Sequence, residues 1–189
     1  MSGLVLDLCG GTGSWSRPYA DAGYDVRVID PQAIAESGVS VAEDVRAYRA
    51  PSHVHGILAA PPCTHFSVSG AQHWGGKDAD GRTLDHLTIV MACLRIIAEA
   101  RPAWWALENP IGRLRGWLGA PAMSFDPCDF GDPYTKRTQL WGRFRLPFFS
   151  PCDPTDGSRM HLISPGPERA RIRSQTPPGF AKAFFEANP

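Results

Sequence analysis

The sequence lacks the features that mark several large classes of protein. Its 189 residues carry no net charge, because 19 Lys and Arg residues balance 19 Asp and Glu residues. This excludes a strongly basic nucleic-acid coat and an acidic disordered tail. No run approaches the roughly 18 consecutive apolar residues of a membrane helix, and no basic segment precedes a long apolar one near the N-terminus. We therefore expect a cytoplasmic protein without a membrane span or signal peptide.

Cysteine is sparse and shows no paired spacing. The five cysteines are dispersed and none forms a Cys-x-x-Cys pair, which argues against a disulfide framework or a zinc ribbon and favours a reducing compartment. Cys128 and Cys152 could pair or bind a metal only if the fold brings them together. His53 and His55 share one face of an extended segment, but no carboxylate or thiol partner is indicated, so we predict no metal site.

Lysine is also rare, with only Lys77, Lys136 and Lys182 among the 19 basic residues. The charges are unevenly distributed: residues 1–135 hold 10 basic and 15 acidic side chains, and residues 136–189 hold 9 basic and 4 acidic side chains. A GC-rich genome explains a preference for arginine equally well, but the clustering indicates an anionic partner of the C-terminal part.

Apolar runs that alternate with helical patterns predict a mostly parallel sheet covered by helices on both faces. A change of pattern after residue 122 predicts short antiparallel strands, a long loop and a closing helix. We expect one domain over residues 1–189, with a cofactor and catalytic core in 1–122 and a basic, Pro-rich part in 123–189. The predicted strands are 4–8, 24–30, 55–60, 103–107, 123–130 and 138–144, and residues 39–45 are a weaker strand or a turn. The predicted helices are 15–22, 84–100 and 178–187, and the predicted loops are 62–84 and 147–178.

The first candidate site is a glycine-rich turn after the first predicted strand. It runs from Asp7 to Ser14 and leads into a helix, so that backbone N–H groups are available to a ligand. Ser16 stands where a dinucleotide-binding fingerprint needs its third glycine. An acid at the end of the first strand is instead typical of methyltransferases that bind S-adenosylmethionine. Asp30, at the end of the next strand, is placed to accept from ribose hydroxyls, and Asp44 is a candidate contact to adenine.

Two further motifs follow predicted strands at the same edge of the sheet. In the first, Cys63 lies after Pro61 and Pro62 and before a flexible loop, which is a suitable position for a nucleophile. In the second, Glu108 is followed by Asn109, and apolar neighbours are expected to raise the pKa of the carboxyl towards the range of a proton donor. The order of the three motifs favours one shared active site over three unrelated turns.

Taken together, these motifs resemble the DNA cytosine C5-methyltransferases, specifically small, phage-like members. The resemblance covers nearly the whole chain and rests on Asp7–Gly13, Pro62-Cys63, Glu108-Asn109, Tyr134–Trp141 and Arg173–Phe180. It implies a Rossmann-like fold, S-adenosylmethionine as cofactor and DNA as partner.

The resemblance also implies roles for individual residues. The thiol of Cys63 adds to C6 of cytosine, Glu108 protonates N3, and an arginine, for which we choose Arg137, steadies the base or the thiolate. The implied cofactor-binding residues are Asp7, Cys9, Gly10, Gly11, Thr12, Gly13, Asp30, Asp44 and Pro61. The implied substrate-binding residues are Pro62, Ser67, Asn109, Lys136 and Thr138.

One departure from the family leaves the substrate open. The family inserts a sizeable target-recognition domain after the basic strand, whereas only about 30 residues follow here before the C-terminal stretch. Three alternatives follow. The protein recognises little of the DNA sequence, it relies on a second subunit or a separate specificity partner, or it methylates a free cytidine nucleotide such as dCMP or CMP. A non-catalytic nucleic-acid-binding protein on the same fold is a further alternative. In a duplex substrate, the target base would have to flip out of the stack.

Overall fold

A computed structural model of the chain describes residues 3–158, 162–164, 166 and 168–189. Its strands are β1 (Leu4–Leu8), β2 (Asp25–Ile29), β3 (Val39–Val41), β4 (Val54–Ala59), β5 (Trp104–Pro110), β6 (Met123–Phe125) and β7 (Thr138–Arg143). They form one sheet in the order β3-β2-β1-β4-β5-β7-β6. β1 to β5 run parallel, and β7 is antiparallel to β5 and β6. The predicted parallel sheet with an antiparallel C-terminal edge is confirmed.

Helices cover both faces of this sheet. They are α1 (Arg17–Asp21), α2 (Trp74–Ala79), α3 (Arg82–Ala100), α4 (Arg115–Leu118), α5 (Glu168–Ser174) and α6 (Pro178–Ala187), with 3-10 segments at Val68–His73 and Pro127–Phe130. In the described part of the chain, no helix is both long enough and apolar enough to cross a membrane.

Two apolar cores lie on opposite faces of the sheet, because side chains alternate along a strand. One core joins α3 to the face that carries Trp105, and the other joins α1 and α6 to the face that carries Trp104. In the second core, Phe180 and Phe184 of α6 are fully buried. Trp104 and Trp105, although adjacent in the sequence, thus face opposite sides of the sheet.

The structure corrects several predicted boundaries. The predicted loop 62–84 contains the 3-10 segment Val68–His73 and α2, and the predicted loop 147–178 contains α5. The strand predicted over 123–130 ends at Phe125, because Asp126 caps the 3-10 turn that follows. The helix predicted over 15–22 begins only at Arg17, after a series of turns.

Candidate active site

The three motifs meet at the carboxyl edge of the sheet. β1, β4 and β5 are adjacent parallel strands, so the segments that follow β1 and β4 and the last residues of β5 lie side by side. An open edge of this kind is where α/β proteins bind their ligands. The three motifs, which are far apart in the sequence, therefore lie close together in the fold.

The glycine turn adopts a backbone that few residues other than glycine accept. Gly11 and Gly13 have φ values of +54° and +70°, and Cys9 also lies in this region at +58°. A Cβ atom on Gly10 would lie 2.4 Å from Cγ of Asp7, whereas a Cβ atom on Gly11 would meet nothing within 4 Å. The turn therefore packs against Asp7 on the side of Gly10 and is open on the side of Gly11, as the binding loop for a cofactor requires. We refer to this turn as the glycine cradle.

Asp7 lies beneath this turn, with no exposed surface. The Ser16 hydroxyl donates a 2.6 Å hydrogen bond to one carboxylate oxygen, and the other oxygen has no partner. Burial raises the pKa of Asp7 to about 7. The contact of Asp7 with a cofactor stays a prediction. Its observed contacts hold the glycine turn in place. The sequence analysis missed Ser16 as the hydrogen-bond partner of Asp7.

Asp30 follows β2 at the same edge and is half-buried. Its carboxylate accepts from the backbone N–H of Gln32 at 2.8 Å. The segment after it is tied to the glycine turn, because Ile34 N–H donates to the carbonyl of Gly11 at 3.0 Å. Asp30 therefore flanks the cradle, and its predicted ribose contact stays a prediction.

Asp44 follows β3 and is already engaged by a neighbour. The Arg46 guanidinium contacts both carboxylate oxygens of Asp44 at 2.6–3.0 Å. These hydrogen bonds lower the pKa of Asp44. Its predicted contact with adenine would have to share the carboxylate with Arg46, and it stays a prediction.

Cys63 begins a tight turn after β4. The N–H groups of Phe66 and Ser67 both donate to its carbonyl at 2.9 Å. The thiol is half-buried. Burial and the nearby Glu108 carboxylate raise the pKa of the thiol, and the positive charges of Lys136 and Arg173 act in the opposite direction. The structure therefore brings the predicted nucleophile together with the predicted proton donor.

Glu108 and Asn109 point to opposite faces of β5. Glu108 lines a small cavity on the face of the sheet that packs against α6, and burial raises the pKa of its carboxyl while Lys136 opposes that shift. Asn109 is fully buried, and its amide donates to the Pro61 carbonyl at 2.9 Å. Its position supports the loop that carries Cys63, and does not favour the predicted direct contact with substrate.

Lys136 and Arg137 are also separated by the fold. The Lys136 ammonium donates to the Arg173 carbonyl at 2.9 Å and lines the same cavity as Glu108. Arg137, predicted as the catalytic arginine, has a half-exposed side chain that pairs with Asp126 at 3.2 Å. Consecutive residues in an extended segment point to opposite sides, so Lys136, and not Arg137, faces the thiol and the carboxyl.

The cavity beside Glu108 is small and closed by the C-terminal stretch. A water-sized sphere can be centred in only about 10 Å³ of it, which is room for about one water. The Thr176 N–H donates to the Ser14 hydroxyl at 2.9 Å, so the roof of the cavity is linked to the glycine turn. The lining residues are Glu108, Phe125, Lys136, Thr138, Ser174, Thr176, Pro177 and Phe180.

The other predicted residues surround this centre. Pro61 is buried, Pro62 is exposed, and Ser67 is buried at the end of the Cys63 turn. Thr138 is buried in the cavity wall. Thr12 remains half-buried in the glycine turn. The sequence analysis missed Arg173 as a neighbour of the thiol, because it expected residues 147–178 to be mostly loop.

Cys128, Cys152 and His55 make their contacts outside the three motifs. The Cys152 N–H donates to the Cys128 carbonyl at 2.9 Å, so the fold does bring these two cysteines near each other, and both are free thiols. His55 contacts the Pro189 carbonyl at 2.9 Å. Among the residues that the structure describes, no group of three or more His, Cys, Asp or Glu side chains could hold a metal ion.

Comparisons with known proteins point to one family and one fold. Residues 33–114 match the family model of C-5 cytosine-specific DNA methylases. A crystal structure described as that of a DNA modification methyltransferase encoded within a prophage (E. coli) shares 23% identity, with a TM-score of 0.50, and the alignment covers 75% of this chain and 47% of that one. This chain therefore spans about half the length of that protein.

A second solved structure is more distant. It is the magnesium protoporphyrin IX methyltransferase from Synechocystis PCC 6803 with bound SAM, with 15% identity, a TM-score of 0.45 and coverage of 75% of this chain and 70% of that one. None of the curated proteins matches this sequence.

The resemblance predicted from the motifs is confirmed by the match over residues 33–114. The strand order and the neighbouring structure confirm the predicted fold. Residues 33–114 are thus similar to the C-5 cytosine-specific DNA methylases, and the chain has a Rossmann-like fold.

Proposed function

We propose that this protein transfers a methyl group from S-adenosylmethionine to C5 of cytosine in DNA. The observation that carries the proposal is the convergence of Cys63, Glu108 and Lys136 beside a glycine cradle at one edge of the sheet. The family match over residues 33–114 supports the reaction, and the name of the prophage-encoded neighbour supports DNA as the substrate. A cytoplasmic location is part of the same proposal.

The residues of the glycine turn fit the cofactor. Gly10 lets the backbone pass over Asp7, and the space above Gly11 is open. Cys9, Thr12, Gly13, Asp30 and Pro61 complete the candidate contacts. When bound, S-adenosylmethionine supplies an electrophilic methyl group.

The side chains at the edge then act on the cytosine ring. The Cys63 thiolate forms a bond to C6, and the C5–C6 electron pair becomes available at C5 while Glu108 gives a proton to N3. C5 then forms a bond to the methyl carbon as the bond between that carbon and the cofactor's sulfur breaks, with its electron pair left on the sulfur. Loss of the C5 proton to water restores the C5–C6 double bond, breaks the bond to sulfur and returns the N3 proton to Glu108. Lys136 balances the negative charge of the thiolate and of the carboxylate in turn.

The directions in which the pKa values of Cys63 and Glu108 are shifted fit these reaction steps. The raised pKa values of the Cys63 thiol and the Glu108 carboxyl both favour the neutral forms. A neutral Glu108 can donate to N3, as a general acid must. The thiol is a weak nucleophile until it loses its proton, so the approach of a cationic or hydrogen-bonding group is needed at the start of the reaction.

The experiment supplies labelled cofactor with duplex DNA, single-stranded DNA and dCMP or CMP in parallel. Incorporation into DNA supports the proposal, and label in the mononucleotide alone would exclude DNA as the substrate. DNA that contains 5-fluorocytosine should trap the enzyme through Cys63, because fluorine at C5 cannot leave as a proton does. Cys63→Ser should abolish both signals, while Cys128→Ser, outside the site, should retain them.

A rival proposal keeps the chemistry and changes the substrate to a free nucleotide. Only about one water fits in the cavity beside Glu108, so either substrate requires the roof over residues 174–177 to move. For DNA, we expect an affinity that falls steeply with salt, by roughly one unit of log–log slope for each phosphate contact. A flat salt response would favour the nucleotide. A homodimer or a separate specificity partner remains part of the DNA proposal, because the chain has little room for target recognition.

A further inference from the structure

Two cations hold the carbonyls of the turn that starts at Cys63. The Lys77 ammonium donates to the Thr64 carbonyl at 2.6 Å, and the Arg113 guanidinium donates to the His65 carbonyl at 2.9 Å. Lys77 comes from α2 and Arg113 follows β5, so two separate parts of the chain converge on consecutive peptide groups. Both side chains are mostly buried: the whole Lys77 residue is 9% exposed and the Arg113 side chain is 16% exposed.

The geometry of the turn explains why cations are placed there. The Cys63 carbonyl accepts from the N–H groups of Phe66 and Ser67, as in one turn of helix. The next carbonyls, of Thr64 and His65, point out of the far end of the turn, where a helix presents its negative pole. Positive charges bind such carbonyls with stronger hydrogen bonds than neutral donors do.

Arg113 is itself fixed from several directions. Its guanidinium donates to the Thr83 hydroxyl at 2.7 Å and to the Asp78 carboxylate at 2.8 Å, and it lies 4.8 Å from the ring centre of Trp74. Its backbone N–H also donates to the Phe66 carbonyl at 2.9 Å. A guanidinium held in this way cannot follow the turn if the turn shifts, so it acts as a rigid support.

We propose that Lys77 and Arg113 are positioning residues that fix the turn that starts at Cys63, and with it the position of the Cys63 thiol. They touch neither the thiol nor the cavity lining and act through the carbonyls of the turn. The proposal rests on the proposed function for its kinetic consequence, but the position of the thiol can be measured without methyl transfer. Loss of either cation should loosen the turn and leave the rest of the fold intact.

The experiment labels the whole protein with iodoacetamide and follows each cysteine by peptide mass spectrometry. Cys152 is exposed and reports the reactivity of the reagent, and Cys93 is fully buried and reports unfolding. In Lys77→Met, we expect Cys63 to react at least about fivefold faster relative to Cys152, because local opening exposes the half-buried thiol. Arg113→Lys, which keeps the charge but not the guanidinium fork, should give an intermediate increase.

The matched control is Arg82→Gln. Arg82 lies nearby at the start of α3, but its side chain is 60% exposed and pairs with Asp80. Its loss should leave the labelling of Cys63 unchanged. The kinetic readout is a fall in kcat of about 10- to 100-fold in Lys77→Met with little change in KM, because a misdirected nucleophile binds substrate normally but reacts slowly.

The outcomes separate this proposal from the proposed function. Unchanged labelling of Cys63 in both variants overturns the positioning role. If Cys93 becomes reactive together with Cys63 in both variants, the two cations stabilise the whole fold and the positioning role is also overturned. If the parent protein transfers no methyl group, the proposed function fails, and the labelling pattern alone still decides the role of Lys77 and Arg113.

Discussion

The buried carboxyl of Asp7 makes the stability of this protein depend on pH. Burial raises its pKa from 3.8 to about 7, even though the Ser16 hydroxyl donates to it. Between the two pKa values the folded protein keeps a proton that the unfolded chain has lost. In this range each pH unit lowers the free energy of unfolding by about 1.4 kcal/mol. Over the interval from 3.8 to about 7, the contribution reaches about 4 kcal/mol.

The sign follows from proton binding. The folded protein binds this proton more tightly than the unfolded chain, so the contribution of Asp7 to the free energy of unfolding falls as pH rises to about 7 and is constant above that. Asp7→Asn removes the titration and keeps an oxygen that accepts from Ser16. The variant should therefore gain stability relative to the parent by about 2 kcal/mol between about pH 5.5 and about pH 8.

Urea unfolding followed by tryptophan fluorescence measures this difference at several pH values. The difference between variant and parent is needed, because other groups such as His65, whose pKa is lowered by burial, also contribute to the pH dependence of each protein. Asp21→Asn is the control, since the Asp21 side chain is 62% exposed on α1 and its loss should give no such trend. A difference between Asp7→Asn and the parent that does not change with pH would refute the reasoning.

Three further changes test the site. Glu108→Gln cannot give a proton to N3 and should lower kcat by about 10²- to 10⁴-fold without weakening cofactor binding, which calorimetry can measure. Asn109→Ala removes the hydrogen bond to the Pro61 carbonyl and should cost about 1–3 kcal/mol in urea unfolding; a stability equal to that of the parent would contradict the supporting role of Asn109. Gly10→Ala places a Cβ atom 2.4 Å from the Asp7 Cγ and should lower both stability, by about 1–3 kcal/mol, and cofactor affinity. Normal affinity in that variant would show that the glycine turn is not the cradle.

Apolar runs and strand-end motifs predict the centre of the fold well. β1 and β4 are short buried runs, and the sheet places the glycine turn after β1 and the segment with Cys63 after β4 at one edge. The pattern is informative here because parallel strands are buried on both faces and read as continuous apolar sequence. The closing helix α6 is predicted with its observed bounds.

Helices that depend on tertiary contacts could not be predicted in the same way. Residues 68–79 contain Gly70, Gly75 and Gly76, which disfavour a helix. The helical turns there are held by the Lys77 bond to the Thr64 carbonyl and by the Ser67 hydroxyl, which accepts from the Ser69 N–H. Such contacts depend on single side chains and leave no periodic signal in the sequence.

The sequence could not show which of Lys136 and Arg137 faces inward, for a related reason. Both residues are basic and adjacent, and the segment before β7 has no apolar alternation that reveals which side chain faces inward. Asp126, ten and eleven residues earlier in the chain, decides the matter by accepting from the Lys136 N–H and pairing with the Arg137 guanidinium. Only the folded arrangement of these segments shows that Lys136 lines the cavity with Glu108 while Arg137 pairs with Asp126.

The opposed directions of Glu108 and Asn109 make the length of the chain before them critical. A deletion or insertion of one residue ahead of these two, with β5 paired as before, would exchange their directions. The amide would then face the cavity that Glu108 lines, and the acid would lie on the face where Asn109 now binds the Pro61 carbonyl. The strand pairing of the sheet would be kept after such a change, whereas the arrangement of the two side chains at the site would be lost. The number of residues before Glu108 therefore matters more to the site than to the sheet.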